Sequence, residues 1–216
     1  MATRLDRERV VSTALRVLNE VGLEGLTLRR IAGELNVQAP ALYWHFKNKQ
    51  ELVDKMATAM LREVARAEVS TKASSGWSES MAESARGLRR MLLGYRDGAK
   101  VFSGTRLTDP SLYAYLETAL QQLVDAGLSL RDAVCGYSTV YSYTVGFTIE
   151  EQAVHPLPGE HNPQYDLRGR AHRMDGQRFP LALAAGEELF TGFDDRFERG
   201  LRMILRGIAQ SLPPGR

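Results

Sequence analysis

Apolar residues recur at helical spacing along almost the whole chain, and no stretch alternates convincingly between apolar and polar residues. A half-buried strand needs a period of two, so this pattern directs the chain to an all-α fold. Its 216 residues suffice for one large or two small domains with substantial cores. A hydrophobic content of 44% and a charged content of 25% match ordinary globular proteins. No run approaches the roughly 20 uninterrupted apolar residues of a membrane helix. The start, MATRLDRERVVSTAL, lacks the apolar core and cleavage site of a secretion signal, which predicts a cytoplasmic protein. Cys135 is the only cysteine. It allows no disulfide framework or thiolate cluster, and within its apolar stretch it reads as a small core residue rather than a redox sensor.

The first helix is expected to start at the N-cap Asp6, to bury Val10, Val11, Ala14, Leu15, Leu18 and Val21, and to stop at Gly22. Thr27 caps a second helix with Ile31, Ala32 and Leu35 inward. A third runs from about Ala39 to Phe46, with Pro40 tolerated in its first turn. Leu42 and Phe46 face inward there, which turns Tyr43 and His45 outward. Asn48 to Glu51 is a capping-box-like start for a fourth helix, whose apolar stripe of Leu52, Val53, Met56, Met60, Leu61 and Val64 is long enough to join two parts of the molecule. The domain boundary is therefore placed in that helix, at about 49–66, giving an N-terminal three-helix head (1–50) and a larger helical body (51–216).

A polar connection follows at 70–76, then helical runs near Trp77–Tyr95, Pro110–Ala126, Leu130–Val154, Pro180–Phe190 and Asp194–Leu212. Between His155 and Arg178 the proline- and glycine-rich texture reads as a long loop. His155, His161 and His172 fall in it without compact ligand spacing, so a solvated loop is expected and no metal. No internal repeat is present.

Function is most legible between Leu26 and Lys49, LTLRRIAGELNVQAPALYWHFKNK. Two short helices flank an Asn36-Val37 break, with Arg29, Arg30, Lys47 and Lys49 set against Glu34 alone. That is a helix-turn-helix with a cationic exposed side, in a chain whose net charge of +2 says nothing about partners. Arg29 has the forked geometry for a guanine edge or a phosphate. Tyr43 and His45 suit phosphates beside a recognition helix, and Lys49 adds its charge to a helix N-terminus. Trp44 reads equally well as a DNA contact or as core. A solvated three-helix bundle with its aromatics inside is the alternative.

From Leu5 to Asp54 the chain resembles the DNA-binding element of TetR-type transcriptional repressors. The resemblance implies DNA contact at Thr27, Arg29, Gln38, Ala39, Pro40, Ala41, Tyr43, His45 and Lys49. Arg29, Pro40, Tyr43, His45 and Lys49 keep the family residue. Gln38, Ala39 and Ala41 stand where the tetracycline-responsive members carry glutamate, glutamine and threonine, which implies the same docking on a different operator. The similarity continues more weakly to around Leu205, with islands at Tyr95–Arg106 and Val145–Gln152. The first resembles the family's ligand-triggered segment. Phe102 replaces the histidine that ligates a magnesium–drug complex, and Ala65, Ser84, Leu88 and Ala119 replace histidine, asparagine, phenylalanine and glutamine. Thr105 and Glu150 are retained. Phenylalanine supplies no ligand to a hard cation, so no cofactor is expected and magnesium–tetracycline is excluded as effector. Leu88, Phe102, Tyr113, Tyr137, Tyr141 and Phe147, with Trp77, are candidates to line a pocket for a small hydrophobic or aromatic effector, and Thr105 and Arg106 to make its polar contacts. An aromatic stripe that is simply core is the competing reading.

The segment Leu130–Val154 is apolar on more than one face, and the last helix carries Phe197, Leu201, Ile204, Leu205 and Ile208 with Gly200 and Gly207. The resemblance implies that these two helices form a four-helix interface in a homodimer, with Val134, Val145, Phe197, Leu201, Ile204 and Ile208 as interface candidates. Ordinary intrachain packing is the alternative. Such a dimer presents two recognition helices to a near-palindromic operator in double-stranded DNA. The expected function is thus a ligand-responsive repressor that binds operator DNA, a second copy and an effector, and no membrane. A constitutive architectural DNA-binding protein and a small-molecule enzyme are the other classes, the latter without any recognisable nucleophile–base arrangement.

Overall fold

Helix caps fix the head. In the computed structural model, which describes residues 5–68, 76–106 and 109–212, Asp6 accepts the Arg9 N–H at 2.8 Å and opens α1 (Arg7–Gly25). Gly22 breaks its regular geometry with φ 72° and ψ 175°, a conformation natural only to glycine. Thr27 accepts the Arg30 N–H and opens α2 (Leu28–Glu34). Asn36, at φ 54°, turns the chain into α3 (Ala39–Leu42). That helix is shorter than expected: beyond Leu42 the chain continues as turns, closed by the Phe46 N–H on the Leu42 carbonyl. Leu42 and Phe46 are buried as expected. Asn48 accepts the Glu51 N–H at the start of α4 (Lys49–Glu68), and Glu51 reaches back one residue further than a standard capping box, to the Lys47 N–H.

The body follows as α5 (Trp77–Leu93), α6 (Gly98–Phe102), α7 (Ser111–Asp125), α8 (Leu130–Val154), α9 (Leu167–His172), α10 (Pro180–Phe190) and α11 (Phe193–Gln210). The described residues contain no strand, and no helix among them is long and apolar enough to cross a membrane. The expected connection at 70–76 lies almost wholly outside the described residues, as do the side chains of Val64 and Ala65. The expected loop from His155 to Arg178 holds more order than its composition suggests. Asn162 caps a 3₁₀ turn at Pro163–Tyr165, and Asp166 caps α9 through the Gly169 N–H.

The centre of the body is α8, which packs on α5, α6, α7 and α11. One apolar cluster runs without a break from Val10, Leu18 and Ile31 in the head, through Met56 and Met60, to Leu92, Phe102 and Val145 in the body. A second gathers Met81, Leu123 and Val140 with Phe197, Leu201 and Leu205 of α11. Val145, Phe197 and Leu201 are therefore buried within the chain and do not form the exposed interface expected of them. Gly200 likewise serves intrachain packing, since a Cβ there would collide with the Tyr143 hydroxyl, whereas Gly207 faces open space. Cys135 is exposed rather than core, on the face of α8 that also exposes Arg131, Thr139 and Ser142.

Two buried polar devices tie the helices together. Arg89 and Glu151, both largely buried, pair through two contacts of 2.7 and 2.8 Å, with Arg89 lying over the Phe197 ring. Gln152, 4% exposed, accepts the Ala99 N–H and donates to the carbonyls of Leu92 and Tyr95. Removing its amide strands a buried N–H and leaves two carbonyls short of a donor. Gln152→Leu should lower stability by about 3 kcal/mol in chemical denaturation, whereas an exposed change such as Gln121→Leu should cost under about 1 kcal/mol.

Candidate DNA-reading element and ligand cavity

The head exposes the groups needed to hold phosphate. Thr27, Arg29, Arg30, Gln38, Pro40, Tyr43, Trp44 and Lys47 all lie at the surface, with Ala39, Ala41 and His45 half-buried. Trp44 is 88% exposed and Tyr43 58%, so the reading of Trp44 as core falls: Leu42 and Phe46 already fill the inward positions. The Thr27 hydroxyl oxygen accepts the Arg30 N–H at the cap. Lys49 does more than add charge. Its ammonium donates to the Leu23 carbonyl at 3.1 Å, which fixes the start of α4 against the end of α1.

A joint at the turn between α5 and α6 connects head and body. Gly98 sits so close to the Leu92 carbonyl that a Cβ would approach it to 2.2 Å, so the chain can turn there only as glycine. Asp97 is held at φ 54°, and its carboxylate accepts the Leu23 N–H at 3.0 Å. Arg96 donates its backbone N–H to the Asn19 side chain and its Nε to the Asn19 carbonyl, both at 2.9 Å, while its far nitrogen pairs with Glu160. The Tyr95 hydroxyl donates to Glu63 of α4, and burial together with that carboxylate pushes it up to about 12. The sequence gives little sign of this joint beyond the Tyr95–Arg106 island, because its contacts join residues 32 to 77 positions apart.

Between α4, α5, α6, α7 and α8 lies a cavity of about 300 Å³. Leu61 of α4, Met81, Ala85 and Leu88 of α5, Phe102 of α6, Tyr113, Leu116 and Ala119 of α7, and Tyr137, Val140 and Tyr141 of α8 line it. Of the expected contacts, Leu88, Phe102, Tyr113, Tyr137 and Tyr141 come together here. Phe147 does not: it is enclosed by Tyr143, Phe193 and Phe197, with Arg89 and Arg196 over its ring. Nor do Thr105 and Arg106 line the cavity. The Thr105 hydroxyl donates to the Phe102 carbonyl, and the Arg106 N–H points to Asp54 of α4. Trp77 lines a separate groove between α5 and α11. Ser80, Ser84, Gln122 and Ser138 at the cavity went unrecognised as a set, because short polar residues scattered over three helices carry no linear motif. The retained Glu150 is exposed. The described lining offers hydroxyl and amide oxygens but neither imidazole nor carboxylate, so it does not fit a chelated magnesium ion.

Comparison with known proteins agrees with both halves of this description. A family model described as bacterial regulatory proteins of the tetR family matches residues 10–56, and one described as a tetracyclin repressor-like C-terminal domain matches residues 71–212. The tetracycline repressor protein class C of Escherichia coli is 39% identical over 207 residues, covering 95% of this chain and 91% of that protein. Among solved structures, a possible TetR family transcriptional regulator from Streptomyces coelicolor A3(2) has a TM-score of 0.83 at 39% identity, covering 95% of this chain and 99% of that one. The S. coelicolor TetR family protein ActR in complex with actinorhodin has a TM-score of 0.79 at 29% identity, covering 97% and 99% of the two chains. Similar proteins are thus named as repressors and transcriptional regulators.

The joint can be tested without any ligand. Asn19→Ala removes the acceptor of the Arg96 N–H and Arg96→Ala the donor to the Asn19 carbonyl, so each should destabilise by about 1 kcal/mol and the two together by about the sum. Unchanged stability in both variants would mean that the contact carries no energy.

Proposed function

Because the chain belongs to the TetR family of bacterial regulatory proteins, we propose that it represses transcription as a homodimer on a near-palindromic operator and is released by an organic effector other than magnesium–tetracycline. The observation that carries this reading is the single apolar core joining an exposed basic head to a cavity in the body. The division of labour follows the chain: residues 1–50 read DNA, residues 51–216 bind effector and partner, and α4 links them. The protein is a regulator and not an enzyme, and it acts in the cytoplasm, where its DNA is. A constitutive architectural protein would have no use for a cavity, or for buried polar contacts between cavity and head.

On DNA, Arg29, Lys47, Tyr43 and Trp44 approach the duplex while α3 enters the major groove, with two heads about 34 Å apart. Gln38, Ala39 and Ala41 set the base preference at the start of α3. The second copy packs on the uncovered faces of α8 and α11, where Val134 is 46% and Met203 72% exposed and Gly207 permits close approach. Ile204 and Ile208 support that face from half-buried positions. An effector in the cavity displaces Phe102 and the turn before α6. Asp97, Arg96 and α4 then carry the displacement to the head, so that the two recognition helices no longer match successive grooves. Gly104, at φ 74°, is a poor site for stiffening this segment, because any side chain there strains the resting state itself.

Arg29→Ala and Tyr43→Phe should weaken binding to all DNA sequences alike, and Arg29→Ala should make the salt dependence shallower by about one phosphate contact, with the dimer intact by sedimentation. An unchanged affinity in both variants would remove the docking proposed. Titration of the protein–operator complex with tetracycline and magnesium should leave the DNA bound. Magnesium-dependent release would mean that other oxygens rebuild the metal site around Phe102.

A further inference from the structure

We infer that the effector is an electrically neutral, flat aromatic molecule carrying hydroxyl or carbonyl oxygens, an assignment that rests on the reading of the cavity as the regulatory site. Tyr137 and Tyr141, one helical turn apart, lie nearly parallel, with centroids 6.5 Å apart and planes inclined by 18°. Phe102 lies beside them at 6.2 Å from Tyr141, tilted by 47°. Three aromatic rings side by side favour an aromatic ligand, in offset or edge contact, over a branched aliphatic one.

Charge decides the next point. Among the described residues lining the cavity there is no aspartate, glutamate, lysine, arginine or histidine. A carboxylate or ammonium entering it would give up hydration with no counter-charge in return, a cost that aromatic contacts do not offset. Tyr141 adds no anion of its own, because burial raises it above the usual phenol range and keeps it a neutral donor.

Oxygens on the ligand follow from the remaining polar groups. Gln122 and Ser84 line the cavity half-buried, and neither side chain has a hydrogen-bond partner among the described residues. The Tyr141 hydroxyl is in the same position. An amide and two hydroxyls both donate and accept, which suits phenolic and quinone oxygens. A bare hydrocarbon would leave all of them dehydrated and unpaired, and a site built this way discriminates against it.

The test is calorimetry on the full chain with three probes at neutral pH: a dihydroxyanthraquinone, its carboxylate-bearing analogue, and naphthalene. The neutral quinone should bind, and the carboxylate should bind at least about tenfold more weakly. Gln122→Leu should weaken the quinone about fivefold and bind naphthalene at least as tightly as before, which also shows that the variant keeps its cavity. Equal or tighter binding of the carboxylate, an unchanged quinone affinity in Gln122→Leu, or failure of the quinone to bind would each overturn the assignment. A quinone that binds in this pattern yet leaves operator DNA in place supports the ligand class and counts against the regulatory reading on which it rests.

Discussion

Much of this molecule depends on one buried amide. Gln152 reaches across from α8 and holds the end of α5 and the start of α6 with three hydrogen bonds. With Gly98 seated on the Leu92 carbonyl, those bonds leave the intervening turn a single conformation, and Asp97 is held in the left-handed region as a result. Only in that conformation does the Asp97 carboxylate meet the Leu23 N–H where α1 breaks at Gly22. The orientation of the DNA-reading head is thus set from the centre of the body, through polar contacts whose burial makes them costly to lose.

The same turn lies beside the cavity. Phe102, at the end of α6, is both part of the shared core and part of the cavity lining. A ligand against Phe102 therefore presses on the element that positions Asp97 and Arg96. No separate transmission device is required, because a close-packed core passes displacement from one element to the next. The uninterrupted cluster from Val10 to Val145 shows that head and body share one core across α4.

The head was legible residue by residue because local rules govern it. Caps at Asp6 and Thr27 and the inward pair Leu42 and Phe46 each follow from a few neighbouring residues, whereas Gly22, expected to stop the first helix, only kinks it before it resumes to Gly25. The body was less legible because α8 is covered on several sides. Tyr137 and Tyr141 face the cavity, while Tyr143 and Phe147 face α11, although all four lie in one apolar run. Helical spacing alone does not say which neighbour an aromatic side chain meets. Similarly, Gly200 announced close approach but not the partner, which is Tyr143 of the same chain. Leu167–His172 hid a short helix in loop-like composition, where capping by Asp166 outweighs poor propensity.

The central claim is that occupation of the cavity is felt at the bond between Asp97 and Leu23. Hydrogen exchange at the Leu23 amide, followed with and without a saturating dihydroxyanthraquinone, measures this directly. The account predicts faster exchange at Leu23 in the bound protein, with core amides such as that of Met56 unchanged or slower. Identical exchange at Leu23 with the cavity filled would contradict it, since the body would then hold its ligand without the head registering it.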